Sequence, residues 1–156
     1  MRRRLMQVAI VFVAVFAAAQ LVRPERTNPP TDTNRTIQAH VGTASGLAAV
    51  LDRSCGDCHS NATVWSSWYT QIAPLSWLMA REVAEGRKAI NFSEWAAYTP
   101  EQQRLLLSVS CDDAKSGKMP GPYIFFKPET RLSAEEVETI CRAGRQNEQK
   151  ATEASR

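Results

Sequence analysis

The body of this chain lacks a basic excess and an alternating strand pattern, and it contains few histidines or cysteines. Three of its 19 Lys and Arg residues are Arg2, Arg3 and Arg4, which leaves 16 to face 16 Asp and Glu. A nucleic-acid-binding domain would carry a basic stripe in its folded part, so we expect no nucleic-acid partner. The missing βαβ pattern argues against a thioredoxin-like redox fold. About 130 residues follow the N-terminal segment, which suits one small domain.

Two of the four cysteines and one of the two histidines fall in a single motif, residues 55–59 (CGDCH). C-x-x-C-H is the attachment sequence of c-type haem. The two thiols can form thioether bonds to the two vinyl groups of one porphyrin, and the following histidine is held as an iron ligand. Half a zinc site would need a second close ligand pair, which the chain lacks. The motif therefore predicts one covalent haem c, attached at Cys55 and Cys58 and ligated by His59.

Residues 1–22 have the pattern of a targeting segment. An uncharged, mostly apolar run of 18 residues, 5–22, follows the three arginines. It is at the short end of the roughly 17–25 residues that span a bilayer, and residues 17–19 (AAA) fit a signal-peptide cleavage site. The segment is thus either a retained signal anchor or a cleaved signal peptide. Both place the rest of the chain outside the cytoplasm, on the periplasmic side of a bacterial inner membrane or free in the periplasm.

Cys111 and Cys141 remain after the motif takes its two cysteines. Disulfides persist in exported proteins, so an exported chain with two spare cysteines favours a disulfide between them. Two inert buried thiols are the alternative.

The rest of the chain predicts helices and connecting segments. Residues 23–42 are polar and proline-containing, and we expect an extended linker that lifts the domain off the membrane. A helix is expected from about Thr43 into the haem motif, with Leu47, Val50 and Leu51 on one face. A second is expected over about 74–85, ending at Gly86.

Two capping boxes predict the later helices. The first begins at Thr99, and we expect Leu105, Leu106 and Val109 on its buried side. The second begins at Ser133; it should bury Val137, Ile140 and Cys141, end at Gly144, and give way to a disordered tail over 146–156. Residues 43–145 should thus form an all-α, cytochrome c-like small helical domain wrapped around one covalent haem, behind an N-terminal hydrophobic helix.

Four side chains are candidates for the sixth iron ligand, and the absence of any protein ligand is the remaining alternative. Met6 lies in the targeting segment, His40 lies in or next to the linker, and Met79 is on the apolar stripe of a helix, where core packing is the more common role. Met119 instead lies in the non-helical stretch 118–122 (KMPGP), where the following proline favours an extended backbone. The sequence therefore predicts Met119 as the second axial ligand.

A His/Met pair raises the reduction potential and fills both axial positions. It predicts an electron carrier serving redox partner proteins, not an enzyme. Two alternatives stay open: a haem-based sensor or gas-binding module in which Met119 is displaced, and a peroxidase-like enzyme, which would need a distal acid–base group. Four aspartates have no metal-ligand spacing and are interpreted as surface charges: Asp52, Asp57, Asp112 and Asp113.

Several short motifs occur in an order known from one protein family. They are Asn28-Pro29-Pro30, residues 55–63 (CGDCHSNAT), Trp68-Tyr69, residues 72–74 (IAP), Ser76-Trp77, Gly86-Arg87, residues 90–95 (INFSEW), residues 118–120 (KMP), Tyr123 and Leu132-Ser133. On these, about residues 20–142 resemble the small bacterial haem-binding domain proteins, which carry one cytochrome c attachment site behind an N-terminal membrane segment. The resemblance implies periplasmic haem c binding and electron transfer, without indicating a partner. Members tend to have a histidine near Lys127-Pro128 and a tryptophan where Cys141 stands.

Overall fold

The computed structural model describes residues 1–41 and 46–154, with side chains as far as residue 145. Short 3-10 turns join its α-helices, and no strand occurs within these ranges, so the all-α prediction is confirmed. The helices are α1 (Arg2–Ala19), α2 (Ile37–Val41), α3 (Leu47–His59), α4 (Leu75–Ala89), α5 (Pro100–Lys115) and α6 (Ala134–Ala154). The predicted helix start at Thr43 falls outside the described residues.

Helix α1 buries none of its side chains. Its large apolar residues are exposed along its whole length, from Leu5 at 69% to Phe16 at 44%. Across the described ranges, none of the helices combines the length and apolar character needed to cross a membrane.

The segment after α1 lies against the domain and does not hold it at a distance. The extended linker predicted over 23–42 is helical towards its end, where α2 begins at Ile37, a fully buried core residue. The side-chain oxygen of Gln20 accepts a hydrogen bond from the Ala73 N–H at 2.9 Å. The indole N–H of Trp77 donates to the Val22 carbonyl at 2.7 Å. An extended backbone points its carbonyls and amides outward, so neighbouring elements can satisfy them. The sequence showed the polarity and the prolines but not these partners.

Both capping boxes form. The Thr99 hydroxyl accepts a hydrogen bond from the Gln102 N–H at 3.2 Å, and the Gln102 side chain accepts one from the Thr99 N–H at 2.9 Å. Ser133 and Glu136 make the same reciprocal pair at 3.2 and 2.8 Å. These local signals set the starts of α5 and α6 as predicted.

The buried face of α5 differs from the predicted one. Leu105 and Val109 are 63% and 46% exposed, whereas Leu107 and Cys111 are buried in the core. Helix α5 packs on α6, and Cys111 faces that neighbour. A residue four positions before Cys111 shares its face, so Leu107 points inward and Leu105 and Val109 point away. One cluster of buried apolar residues has contributions from every α-helix except α1 and α4, and its members are Ile37, Leu47, Leu51, Ile90, Phe92, Trp95, Leu107, Cys111, Ile140 and Cys141. Met79 and Val83 of α4 are buried outside this cluster.

Two predicted helix ends are corrected, because neither glycine stops its helix. Helix α4 continues through Gly86 to Ala89, and α6 continues through Gly144 to Ala154. A glycine inside a helix costs about 1 kcal/mol relative to alanine, which packing can offset. Residues 148–151 (EQKA) are good helix formers, so the backbone of 146–154 extends the helix where we expected a disordered tail.

The disulfide between Cys111 and Cys141 is present and links α5 to α6, with 4.7 Å between the Cα atoms. Both residues are buried in the core. The bridge therefore closes a loop around the turns that carry Met119, and the inert-thiol alternative is wrong.

Replacing both cysteines by serine should lower the free energy of unfolding by about 3–4 kcal/mol, because the unfolded chain regains the entropy of the closed loop. Denaturant titration of wild type and double variant measures the difference. Alkylation of denatured, unreduced wild type should label neither Cys111 nor Cys141. Complete labelling of both would contradict the bridge.

Candidate haem site

The motif C-x-x-C-H forms the end of α3. Cys55, Cys58 and His59 are spaced i, i+3 and i+4, so the helix places them on one face, and Ser60 ends the helix with extended backbone. Both cysteines are free thiols and half-buried. Burial raises the pKa of Cys55 to about 12 and that of Cys58 to about 11. Both side chains are therefore protonated thiols at neutral pH.

The imidazole of His59 is fixed by two backbone carbonyls. Its Nδ1 lies 2.9 Å from the Gly86 oxygen and 3.2 Å from the Ile90 oxygen. Carbonyl oxygens only accept, so Nδ1 carries the hydrogen and donates it, and Nε2 keeps its lone pair. Burial lowers the pKa of His59, which favours the neutral ring. This is the tautomer that a histidine needs to bind a metal through Nε2.

Gly86 allows α4 to reach the motif. A Cβ placed on Gly86 would lie 2.5 Å from the Cys58 carbonyl oxygen and 3.0 Å from its carbon, closer than real contacts allow. The absence of a side chain thus lets the two helices touch where Gly86 accepts the His59 hydrogen bond. The sequence prediction had given this residue only the role of a helix end. A glycine within a helical pattern, together with the Gly86-Arg87 pair in the family resemblance, was the available signal.

Arg87 joins the residues after the motif to the extended N-terminal segment. Its guanidinium donates to the Ser60 carbonyl at 2.7 Å, the Thr63 hydroxyl at 2.8 Å, the Thr27 carbonyl at 3.0 Å and the Asn28 side-chain oxygen at 2.7 Å. A planar guanidinium is suited to several acceptors at once. Arg87, which follows Gly86, therefore holds the residues after the motif and the N-terminal segment to α4.

Met119 lies in the loop between α5 and the 3-10 turn Gly121–Phe125, and 37% of it is exposed. Its N–H donates to the Asp113 carbonyl at 3.1 Å, and the Lys118 ammonium pairs with the Asp113 carboxylate at 3.0 Å. The charge of Asp113 also acts on the His59 imidazole and partly offsets the lowering of its pKa. The role of Met119 as a ligand stays a prediction.

The other ligand candidates have different surroundings. Met79 is 6% exposed on α4, in keeping with the core role expected for it. His40 is exposed on α2, and its Nδ1 lies 2.8 Å from the Thr36 carbonyl oxygen. Met6 is 60% exposed on α1.

Asp57, the third residue of the motif, was predicted to be a surface charge, and this prediction is wrong. Its side chain is 11% exposed, and one carboxylate oxygen accepts hydrogen bonds from Lys127 at 2.5 Å and Tyr123 at 2.8 Å. The other oxygen accepts from the Val64 N–H at 3.0 Å. The Tyr123 hydroxyl lies 3.1 Å from that of Tyr69. Burial and the hydrogen bonds to Tyr69 and Asp57 raise the pKa of Tyr123, so its phenol stays protonated.

These side chains fit a haem. Two thiols on one helical face would supply the attachment atoms, and the neutral imidazole, with its Nε2 lone pair, would supply an iron ligand. The zinc interpretation loses the two other cysteines, because Cys111 and Cys141 are joined in a disulfide.

The family model described as haem-binding domain matches residues 14–144. The chain belongs to the haem-binding domain family. The matched residues include the motif at 55–59, Gly86 and the Met119 loop. No curated protein matches the chain, and no solved structure does. Family membership and the donor set agree on haem as the cofactor.

Proposed function

We propose that this protein is a c-type cytochrome that carries electrons through one covalent haem. Cys55 and Cys58 are the attachment residues, and His59 and Met119 are the axial ligands. The observation that carries this function is the environment of His59. Its Nδ1 donates a hydrogen bond to two backbone carbonyls, which leaves the lone pair of Nε2 for the iron. Such hydrogen bonds orient a ligating histidine and raise its basicity.

The chain's own residues bind and orient the cofactor. When bound, the haem supplies a one-electron iron couple. The Gly86 and Ile90 carbonyls hold the imidazole in a single orientation. Arg87 makes four hydrogen bonds that hold the residues after the motif to the N-terminal segment. The loop between α5 and the following 3-10 turn presents a thioether sulfur, the soft donor that raises a haem potential.

Electron transfer is favoured over haem catalysis because the side chains that could transfer protons are exposed or already hydrogen-bonded. A peroxidase-like enzyme needs a positioned acid–base side chain. His40 is exposed on α2, and its ring is hydrogen-bonded to the carbonyl of Thr36, the residue before that helix. Asp57 is engaged by three donors from Val64, Tyr123 and Lys127. Neither side chain is therefore available as the acid–base group that a peroxidase-like reaction needs.

The place of action that we propose is the periplasmic side of a bacterial inner membrane, or the periplasm if residues 1–22 are removed. Support comes from the basic, apolar N-terminus and from the disulfide between Cys111 and Cys141, since disulfides persist in oxidising compartments. The partners are redox proteins that exchange electrons with the haem.

Protein matured in a host with a c-type assembly system should carry one haem that survives denaturation, because thioether bonds are covalent. Mass spectrometry of the denatured chain should show the added mass of one haem. A variant with Cys55→Ser and Cys58→Ser should release its haem into acidified organic solvent. The covalent assignment is wrong if the same extraction removes haem from wild type.

A further inference from the structure

The loop that carries Met119 is tied down at both ends by carboxylates. Before Met119, the Lys118 ammonium pairs with Asp113 on α5 at 3.0 Å. After it, Tyr123 and Lys127 both donate to Asp57 on α3, at 2.8 and 2.5 Å. Asp113 thus holds the loop to the helix that precedes it. Asp57 holds it to the haem motif itself.

The Asp57 end is the better protected of the two. The side chain of Asp57 is 11% exposed and that of Lys127 24%, whereas Lys118 is 67% exposed. Exposed ion pairs contribute little, while charge-assisted hydrogen bonds shielded from water are stronger. Tyr69 supports the arrangement, because it is 4% exposed and its hydroxyl lies 3.1 Å from that of Tyr123.

The spacing makes this tether effective for Met119. Tyr123 is four residues further along, so the chain between them can span at most about 14 Å. The intervening Pro120 and Pro122 each fix one backbone dihedral, which narrows the freedom of this short segment. Fixing the Tyr123 hydroxyl on α3 therefore restricts where the Met119 side chain can go.

We propose that Asp57, through Tyr123 and Lys127, is the positioning residue that holds the Met119 loop over the haem motif. The residue between the two attachment cysteines would thus couple the proximal side of the site to its distal ligand. This inference rests on the axial role proposed for Met119. Asp57 itself does not touch the iron in this scheme.

The test compares variants that remove the donors to Asp57 and leave the haem motif intact. Tyr123→Phe combined with Lys127→Gln keeps the ring and the chain length but deletes both donors. Arg145→Gln is the matched control, because it likewise removes a cation from an ion pair, the one with Glu138 on α6. Lys127→Arg in the Tyr123→Phe background restores a cation opposite Asp57.

In holoprotein, the Tyr123 and Lys127 double variant should weaken the sulfur-to-iron absorption band and lower the reduction potential. Carbon monoxide should bind the ferrous form about tenfold faster, the change expected when a charge-assisted hydrogen bond no longer favours the closed loop. Amide hydrogen exchange should accelerate over residues 117–127 and stay unchanged over 100–111. The Lys127→Arg variant should recover part of each effect, and Arg145→Gln should show none.

Two outcomes separate the two levels of inference. If wild type shows the sulfur band and the double variant keeps it, with unchanged carbon monoxide binding and exchange, the positioning role of Asp57 is overturned. If wild type lacks the band, the proposed axial role of Met119 fails, and with it the role of Asp57 toward that ligand. Hydrogen exchange then still reports whether Asp57 holds the loop.

Discussion

Met119→Ala should keep its covalent haem but lose the sulfur-to-iron absorption band and shift its reduction potential downward. A thioether ligand favours ferrous iron, so its removal stabilises the ferric form. We expect a fall on the order of 0.1–0.3 V, within the roughly 0.8 V range over which axial ligands set haem potentials. Anaerobic redox titration followed by optical spectra measures both quantities in one experiment. Carbon monoxide should also bind the ferrous variant readily.

Met79→Ala is the control, because it removes the same side chain from a buried position on α4. Its 6% exposure predicts a loss of packing, about 2–5 kcal/mol in the free energy of unfolding, with spectrum and potential retained. If Met119→Ala keeps the absorption band and the reduction potential while Met79→Ala loses the band, Met79 is the ligand. If wild type itself binds carbon monoxide freely, the sensor or gas-binding function gains over the electron carrier.

The parts of this fold that sequence predicted are those encoded within a few residues. The capping boxes at Thr99 and Ser133 set the helix starts because donor and acceptor are three positions apart. The motif at 55–59 predicts its own geometry, since i, i+3 and i+4 share a helical face. The disulfide was predicted from the number of cysteines and the expected compartment, not from any local pattern.

The parts that sequence did not predict depend on partners far along the chain. Asp57 was interpreted as a surface charge because its partners Tyr123 and Lys127 are 66 and 70 residues away. The buried face of α5 was placed on Leu105, Leu106 and Val109, and Leu105 and Val109 are exposed, because periodicity gives a stripe but not the neighbour that covers it. The position of α6 decides that Leu107 points inward instead.

Gly86 was predicted from the sequence only as a helix end, whereas the structure gives it a contact with a distant helix. Its replacement by alanine should have the largest structural effect of any single methyl group added to the site. In an open helix, Gly→Ala stabilises by up to about 1 kcal/mol. Here the new Cβ would lie 2.5 Å from the Cys58 carbonyl oxygen, and the obstructing atoms are backbone, which cannot rotate aside. Overpacking of this kind costs about 1–3 kcal/mol or more, so we expect net destabilisation in denaturant titration.

Gly144→Ala is the matched control, since it adds the same methyl group to a buried glycine of α6. Its Cβ would meet the Leu107 backbone at 3.6 Å, an ordinary contact, so this variant should be as stable as wild type or more stable. Gly86→Ala should also move α4 away from α3 and lengthen the bond from His59 Nδ1 to the Gly86 carbonyl. A less basic, less firmly oriented imidazole should then change the potential of the holoprotein, which the control should keep. Equal stability and equal potential in the two variants would show that α3 and α4 do not touch at Gly86, and the account of how His59 is oriented would fail with that contact.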